Sequence, residues 1–384
     1  MKPIYLDYQA TTPADPWVLA AMESYWSKEF GNPHSEGHEF GWNARRAVER
    51  ARSQVADLIN ADDDEVIFVS GATESCNLAL RGLAVSEPPG RRRQIITLAT
   101  EHPAVLQTAR ALGDQGRIVD VLPVEPDGLL DLEKLSSALS DQTLLVSCML
   151  ANNEIGVIQP LEHTSTLCRS AGAFVHTDAT QAAGRIKLDV DQLGVDLLSL
   201  SGHKIYGPNG VGILYIRNRP DLTLEPIMTG GSQERSIRPG TVPVPLVVGM
   251  GEACAIAKAR LEDDAVRIAD LAQRLLNELT EEFPQMLTFG TMQARIPGNV
   301  SIGVPGIPGE LLVEAVSREV AISTGAACST GSPEPSHVLV ALGYEPELAA
   351  TGVRISLGRF TTDEEIGTAS RSIVRAIKTL TGGT

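Results

Sequence analysis

Between about residue 16 and residue 255 the chain alternates short apolar runs with stretches of helical spacing. The runs Glu65–Ser70, Gln94–Thr100, Ile118–Leu122, Thr143–Leu150, Ala173–Asp178, Asp196–Leu200 and Gly212–Ile216 read as strands. Between them the apolar residues recur at helical intervals. After Trp42 they fall at Ala44, Ala47, Val48, Ala51, Val55, Leu58 and Ile59, one stripe of a helix whose other face carries arginines and acids. Strands that are apolar throughout, joined by helices, imply a mostly parallel sheet covered on both faces. Such a sheet binds ligands beyond the carboxyl ends of its strands. Thr73, His102, Asn153, Asp178 and Lys204 all follow such ends.

Lys204 lies in Leu198–Gly212, a stretch that reads strand, glycine-rich bend, strand. The Ala173–Asp178 run finishes on a carboxylate. A lysine and a carboxylate at neighbouring strand ends suit pyridoxal phosphate: the amine bonds the aldehyde and the carboxylate keeps the ring nitrogen protonated. Taken singly, the two are an ordinary solvated lysine and a helix-capping aspartate. Gly71–Glu74 joins a strand to a helix N-terminus, where backbone N–H groups and the helix dipole favour an anion; the glycine spacing of a nucleotide loop is missing. His102 precedes a helix and offers a ring and a proton-transfer group. Asn152 and Asn153 offer two amides, and Gln181 stands three residues past Asp178. Arg235, Arg238 and Thr241, in the polar segment Thr229–Thr241, form a candidate anion-binding set.

The chain has 384 residues with 43% hydrophobic residues, enough for one large or two moderate domains. A formal net charge of −16 argues against nucleic acid as a bulk partner. No apolar run has the ~18 residues of a membrane helix, and the start of the chain has no signal-peptide core, so a cytoplasmic protein is expected. Cys76, Cys148, Cys168, Cys254 and Cys328 show no paired spacing, which predicts reduced thiols and neither disulfides nor a metal site. A long helix is expected from Glu262 to Glu282 after the Pro245–Lys258 stretch. Beyond it, Asn299–Val304 and Gly352–Leu357 read as strands, with helices at Gly309–Arg318 and Glu364–Leu380. The division expected is a large domain over residues 14–258 and a smaller α+β domain from 1–13 and 259–384. The latter holds Cys328 in a run of Gly, Ala, Ser and Thr, the setting of an exposed thiol that can act as nucleophile. Arg354, on the next strand, has the geometry to clamp a carboxylate.

These residues fall in motifs: LDYQATTP near the start, SGATES at 70–75, TEHPA at 100–104, NNEIG at 152–156, HTDATQ at 176–181, SGHKIYGP at 201–208, RPGT at 238–241, GAACSTGSPEPSHVL at 325–339 and RISLGRFTT at 354–362. Together they resemble the cysteine desulfurases of the NifS/IscS type, in the class V aminotransferase group of fold type I pyridoxal-phosphate enzymes. The resemblance implies an α/β fold with a mostly parallel seven-stranded sheet and a smaller α+β domain. It implies that pyridoxal 5'-phosphate binds Lys204, with Asp178 at the ring nitrogen, Gln181 at the ring hydroxyl and His102 stacked on the ring. Ala72, Thr73, Ser201 and His203 would hold the phosphate, joined by Thr241 of the other subunit of a homodimer. Asn153 and Arg354 would bind the carboxylate of L-cysteine, and Cys328 would accept its sulfur for an iron–sulfur scaffold or another sulfur carrier. No metal is implied. Cys76 stands where this family usually has Asn and Pro239 where it usually has Ser, and the chain closes without the scaffold-gripping tail of the housekeeping enzyme. The sulfur's destination is therefore open among iron–sulfur clusters, tRNA thiolation and DNA phosphorothioation. The other classes the residues allow are a related pyridoxal-phosphate aminotransferase or lyase, such as a cystine or selenocysteine lyase, which does not need Cys328, and a silent sulfur carrier without a chromophore.

Overall fold

The computed structural model describes residues 2–88, 90–325 and 335–382. A short strand β1 (Ile4–Tyr5) opens the chain. Seven strands then form one sheet: β2 (Val66–Val69), β3 (Gln94–Leu98), β4 (Ile118–Leu122), β5 (Thr143–Ser147), β6 (Phe174–Asp178), β7 (Leu197–Ser201) and β8 (Gly212–Ile216). Their order is β2-β8-β7-β6-β5-β3-β4, and only β8 runs against its neighbours. The expected sheet, seven-stranded and mostly parallel, is what forms.

Side-chain alternation explains how both faces are covered. Ile67, Val69, Ile95, Leu145, Leu197 and Leu214 pack on one face against Leu78 and Leu83 of the helix Ala72–Ser86 and Val105 and Leu112 of the helix Pro103–Asp114. Val66, Phe68, Ile96, Leu98, Val146, Val175, Leu198 and Leu200 occupy the other face, under Val48, Ala51 and Val55 of the helix Glu39–Ile59. Each such side chain contributes roughly 1.5–3 kcal/mol when fully buried, so the doubly covered core holds the strand ends in place.

One helix runs unbroken from Val244 to Glu282, 39 residues. The expected start at Glu262 is therefore wrong. Gly249 and Gly251 lie within the helix at close-packing positions. A Cβ on Gly251 would lie 2.6 Å from Ala51 Cα, and one on Gly249 would lie 2.5 Å from Met22 Sδ. The first half of this helix joins the main core through Val247, Met250 and Cys254. The second half joins a separate core through Ile268, Leu275 and Leu279, together with Leu6, Val300, Ile302, Ile355 and Ile373. Over that second core lie β9 (Leu287–Thr288), β10 (Asn299–Gly303) and β12 (Gly352–Ser356), antiparallel in the order β12-β10-β9; β11 (Val320–Ala321) pairs in parallel with β1.

Candidate active site

The carboxyl ends of β2, β3, β5, β6 and β7 open on a cavity of about 570 Å³. Ala72, Thr73, His102, Asn153, Asp178, Gln181, Ser201, His203, Lys204 and Arg354 all line it. Thr241 does not; it is exposed on this chain. Cys328 lies outside the described residues.

At one end, β2 turns through Gly71 (φ +154°) into the N-terminus of the helix Ala72–Ser86. The turn seats against Gly212, where a Cβ would stand 2.4 Å from the Leu200 carbonyl and 2.7 Å from Gly71 Cα. Two glycines thus bring the helix N-terminus beside Ser201, at the end of β7. Glu74, also at the cavity, accepts from Ser70 N at 2.5 Å and from Arg238 Nε at 2.9 Å, which offsets its charge. This end presents backbone N–H groups and hydroxyls, the chemistry of an anion site. His203 adds a neutral ring: burial, then Lys204, lowers its pKa to about 4, and its Nδ1 lies 3.0 Å from Thr11 Oγ1.

Lys204 sits just past β7 in the bend that returns as β8. Its Nζ donates to the carbonyls of Gln9 at 2.6 Å and Ala10 at 2.7 Å. The Gln9 carbonyl also accepts from Gln181 Nε2 at 3.0 Å, and Asn299 Nδ2 donates to Gln9 Oε1 at 2.7 Å. Residues Gln9 and Ala10 carry no expected role; their contribution is mainly backbone oxygen, which side-chain chemistry cannot announce. Asp178, at the tip of β6, is buried, and its Oδ1 accepts from Thr180 N at 2.9 Å. Thr180 Oγ1, also at the cavity, is buried without a partner among the described residues.

His102 caps the helix Pro103–Asp114, its Nδ1 accepting from Ala104 N at 3.1 Å. That bond leaves the neutral ring's proton on Nε2. Burial lowers the pKa of this imidazole despite Asp178 nearby, so the neutral ring prevails near pH 7. Two residues before Asp178 on the same strand face, His176 joins a buried chain. Its Nδ1 lies 2.8 Å from Ser147 Oγ and its Nε2 2.9 Å from Ser199 Oγ, which lies 2.7 Å from Ser75 Oγ. Ser75 Oγ donates to the Ile213 carbonyl at 2.9 Å. That last acceptor takes a proton, so the hydroxyls can point one way with every donor used and His176 neutral; burial lowers its pKa to about 4.

Arg354, on β12, is 4% exposed. Its Nη1 donates to the Asn153 carbonyl at 2.8 Å, and its Nη2 donates to Asp7 Oδ1 and to Ser323 Oγ, each at 2.8 Å. Its Nε has no partner among the described residues. Three of five donors are thus committed, and the guanidinium is positioned from three sides before any ligand arrives.

One expectation needs correction. Asn152 is not a ligand-facing amide: it is fully buried, donates to the Thr100 carbonyl at 2.9 Å and accepts from Glu154 N and Ile155 N at 2.8 and 2.9 Å. It holds the turn that presents Asn153. In the Thr229–Thr241 segment Arg238 is paired with Glu74, while Arg235 and Thr241 are exposed on this chain. The loop itself is held by Glu234, which pairs with Arg52 at 2.8 Å and accepts from Phe68 N at 2.7 Å.

Cys76, Cys148, Cys168 and Cys254 are buried, and burial pushes every one of these thiols up, Cys168 to about 12. Cys76 packs in the apolar layer beneath the helix Ala72–Ser86. Among the described residues no cluster of side chains suits a metal ion, and no helix is long and apolar enough to cross a membrane.

The fold and site define a class, and comparison with known proteins agrees. The aminotransferase class-V family pattern matches residues 4–368, and the chain belongs to that family. Among its relatives is the cysteine desulfurase IscS of Rickettsia massiliae (strain Mtu5), 47% identical over 378 residues that span 98% of this chain and 92% of the relative. A solved NifS-like protein superposes with a TM-score of 0.92 at 35% identity, covering 99% of this chain and 100% of its own. A structure described as SspA in complex with cysteine superposes with a TM-score of 0.82 at 33% identity, covering 94% of this chain and 100% of its own.

Proposed function

We propose that this chain is a cysteine desulfurase that uses pyridoxal 5'-phosphate to take sulfur from L-cysteine, leaving L-alanine and a persulfide on Cys328. The observation that carries the proposal is the single cavity that gathers Lys204, Asp178, His102 and Arg354 at one set of strand ends. The identity to desulfurases over nearly the whole chain supports it.

The residues fit the cofactor. A helix N-terminus with Ser201 and His203 suits its phosphate, Asp178 suits its ring nitrogen, and the unpartnered Thr180 hydroxyl and Arg354 Nε leave donors for bound groups. When bound, pyridoxal phosphate supplies an aldehyde for amines and a ring that draws electrons from the substrate's Cα. Lys204 would hold the cofactor through its amine and, when that amine is free, would take the proton from the substrate's Cα. Asp178 would keep the ring nitrogen protonated. Asn153 and the remaining donors of Arg354 orient the substrate carboxylate. His102, with its proton on Nε2, would lie against the cofactor's ring and could move protons near the reacting sulfur. The Cys328 thiolate then attacks that sulfur. An S–S bond forms, the Cβ–S bond breaks, and Cβ keeps the electron pair and gains a proton, so cysteine becomes alanine without an external oxidant. The four buried cysteines are unsuited to the attack because burial keeps them as thiols.

Five aromatic residues concentrated between residues 17 and 42 are exposed: Trp17, Trp26, Phe30, Phe40 and Trp42. They support a homodimer, with Thr241 serving the other subunit's phosphate site. The persulfide goes to an acceptor protein, an iron–sulfur scaffold or another sulfur carrier, in a reducing cytoplasm.

The test is a visible spectrum before and after borohydride, with alanine measured from L-cysteine. An absorbance band lost on reduction, with reduced cofactor on Lys204, supports the reading; a colourless protein overturns it. Cys328→Ala should keep the band and abolish sulfur release, whereas undiminished turnover favours a lyase.

A further inference from the structure

Glu154 is a buried carboxyl group that the mechanism leaves unused. It follows Asn153 in the turn after β5 and is 2% exposed. Its Oε2 accepts from Ser336 Oγ at 2.7 Å. That hydroxyl is itself fixed, because it caps the helix His337–Ala341 by accepting from Val338 N and Leu339 N at 3.1 and 3.2 Å. Oε1 has no partner. It lies against Gly325 so closely that a Cβ there would stand 1.9 Å from Oε1 and from Cδ. Gly325 and Ser336 lie on the two sides of residues 326–334, which include Cys328. Both flanks of that segment therefore meet one carboxyl group, whose neighbour Asn153 lines the cavity. Arg354 reinforces the junction by binding the Asn153 carbonyl and Ser323 Oγ together.

Burying a carboxyl is costly where an apolar side chain would fill the same space. A hydrogen-bonded junction, however, sets distances that apolar contact leaves loose. We infer that Glu154 is a positioning residue for the sulfur-transfer step, setting where the segment bearing Cys328 is anchored relative to the cavity. The inference rests on the desulfurase reading.

The charged group facing Glu154 is Arg354, which is itself paired with Asp7; Ser336 is its hydrogen-bonding neighbour. Burial raises the Glu154 pKa to about 7, against the pull of Ser336 and Arg354, so its charge changes within the working pH range.

The experiment uses the holoenzyme and its Glu154→Ala, Glu154→Gln and Gly325→Ala variants. It reads the visible absorbance of bound pyridoxal phosphate, and KM and kcat for alanine formation from L-cysteine. Glu154→Ala should keep the absorbance and, within about twofold, the KM, while kcat falls about tenfold or more, as displaced reacting groups do. Gly325→Ala should behave alike. Glu154→Gln keeps an oxygen for Ser336 and should recover most of the loss. A Glu154→Ala kcat within about twofold of the parent, or a Gln variant no better than Ala, overturns the inference. So does a loss of kcat that comes only with loss of bound cofactor. A parent that forms no alanine overturns the desulfurase reading as well; an active parent with unaffected variants overturns this inference alone.

Discussion

Asp178 shows what one residue does at this site. It is a buried side chain at a strand tip that lines the cavity with His102 and Lys204. Removing its charge with Asp178→Asn removes the group proposed to keep the cofactor's ring nitrogen protonated. The alanine assay should then show kcat lower by on the order of 10²- to 10⁴-fold, the range for a lost proton-holding group, with the fold intact by circular dichroism. Glu101 is the opposite case. It is fully buried, its Oε1 accepts from Met149 N, its Oε2 has no partner among the described residues, and burial followed by the Asp178 charge holds its pKa well above the usual carboxylate range. A raised folded pKa favours the protonated form. The stability this contributes is complete below the unfolded value of ~4.3 and is lost as pH rises toward the folded value. Glu101→Gln keeps the protonated shape at every pH. Urea midpoints measured from about pH 5 to about pH 8 should therefore fall less steeply in the variant than in the parent.

At the scale of elements, the site depends on how closely the turn after β2 approaches β8. Gly212→Ala would drive a methyl group into the Leu200 carbonyl and Gly71. Such overpacking costs about 1–3 kcal/mol. The displaced helix N-terminus should also weaken pyridoxal-phosphate affinity, measured by cofactor titration. The segment after β8 is held differently. Glu234, Arg235 and Ser236 all have positive φ, at 42°, 57° and 62°. This unfavourable backbone is held by the buried Glu234 carboxylate on Arg52 and Phe68 N. Glu234→Ala would leave Arg52 without that partner, and a loss of about 3–5 kcal/mol is expected in denaturant unfolding.

For the whole molecule, the exposed aromatics between Trp17 and Trp42 are the surface on which the dimer proposal rests. Sedimentation should show two copies for the parent, and Trp26→Glu with Phe30→Glu should shift it to one copy while secondary structure is kept. The two-domain division remains our proposal. The two separate cores support it, and its boundary at residue 258 falls inside the helix Val244–Glu282.

What could be read in the amino-acid order was whatever depends on period and local chemistry. The sheet strands, the helices between them and the strand-end positions of Thr73, His102, Asn153, Asp178 and Lys204 follow from apolar alternation and turn residues, which act over a few residues. The tertiary structure alone decided contacts between segments far apart in the chain. It gave Lys204 the carbonyls of Gln9 and Ala10, paired Arg238 with Glu74, and brought Gly325 and Ser336 together on Glu154. It also set Gly249 and Gly251 at close-packing positions of the long helix. Backbone oxygens and missing side chains leave no mark in a pattern of residue types; their roles exist only once packing has chosen their neighbours.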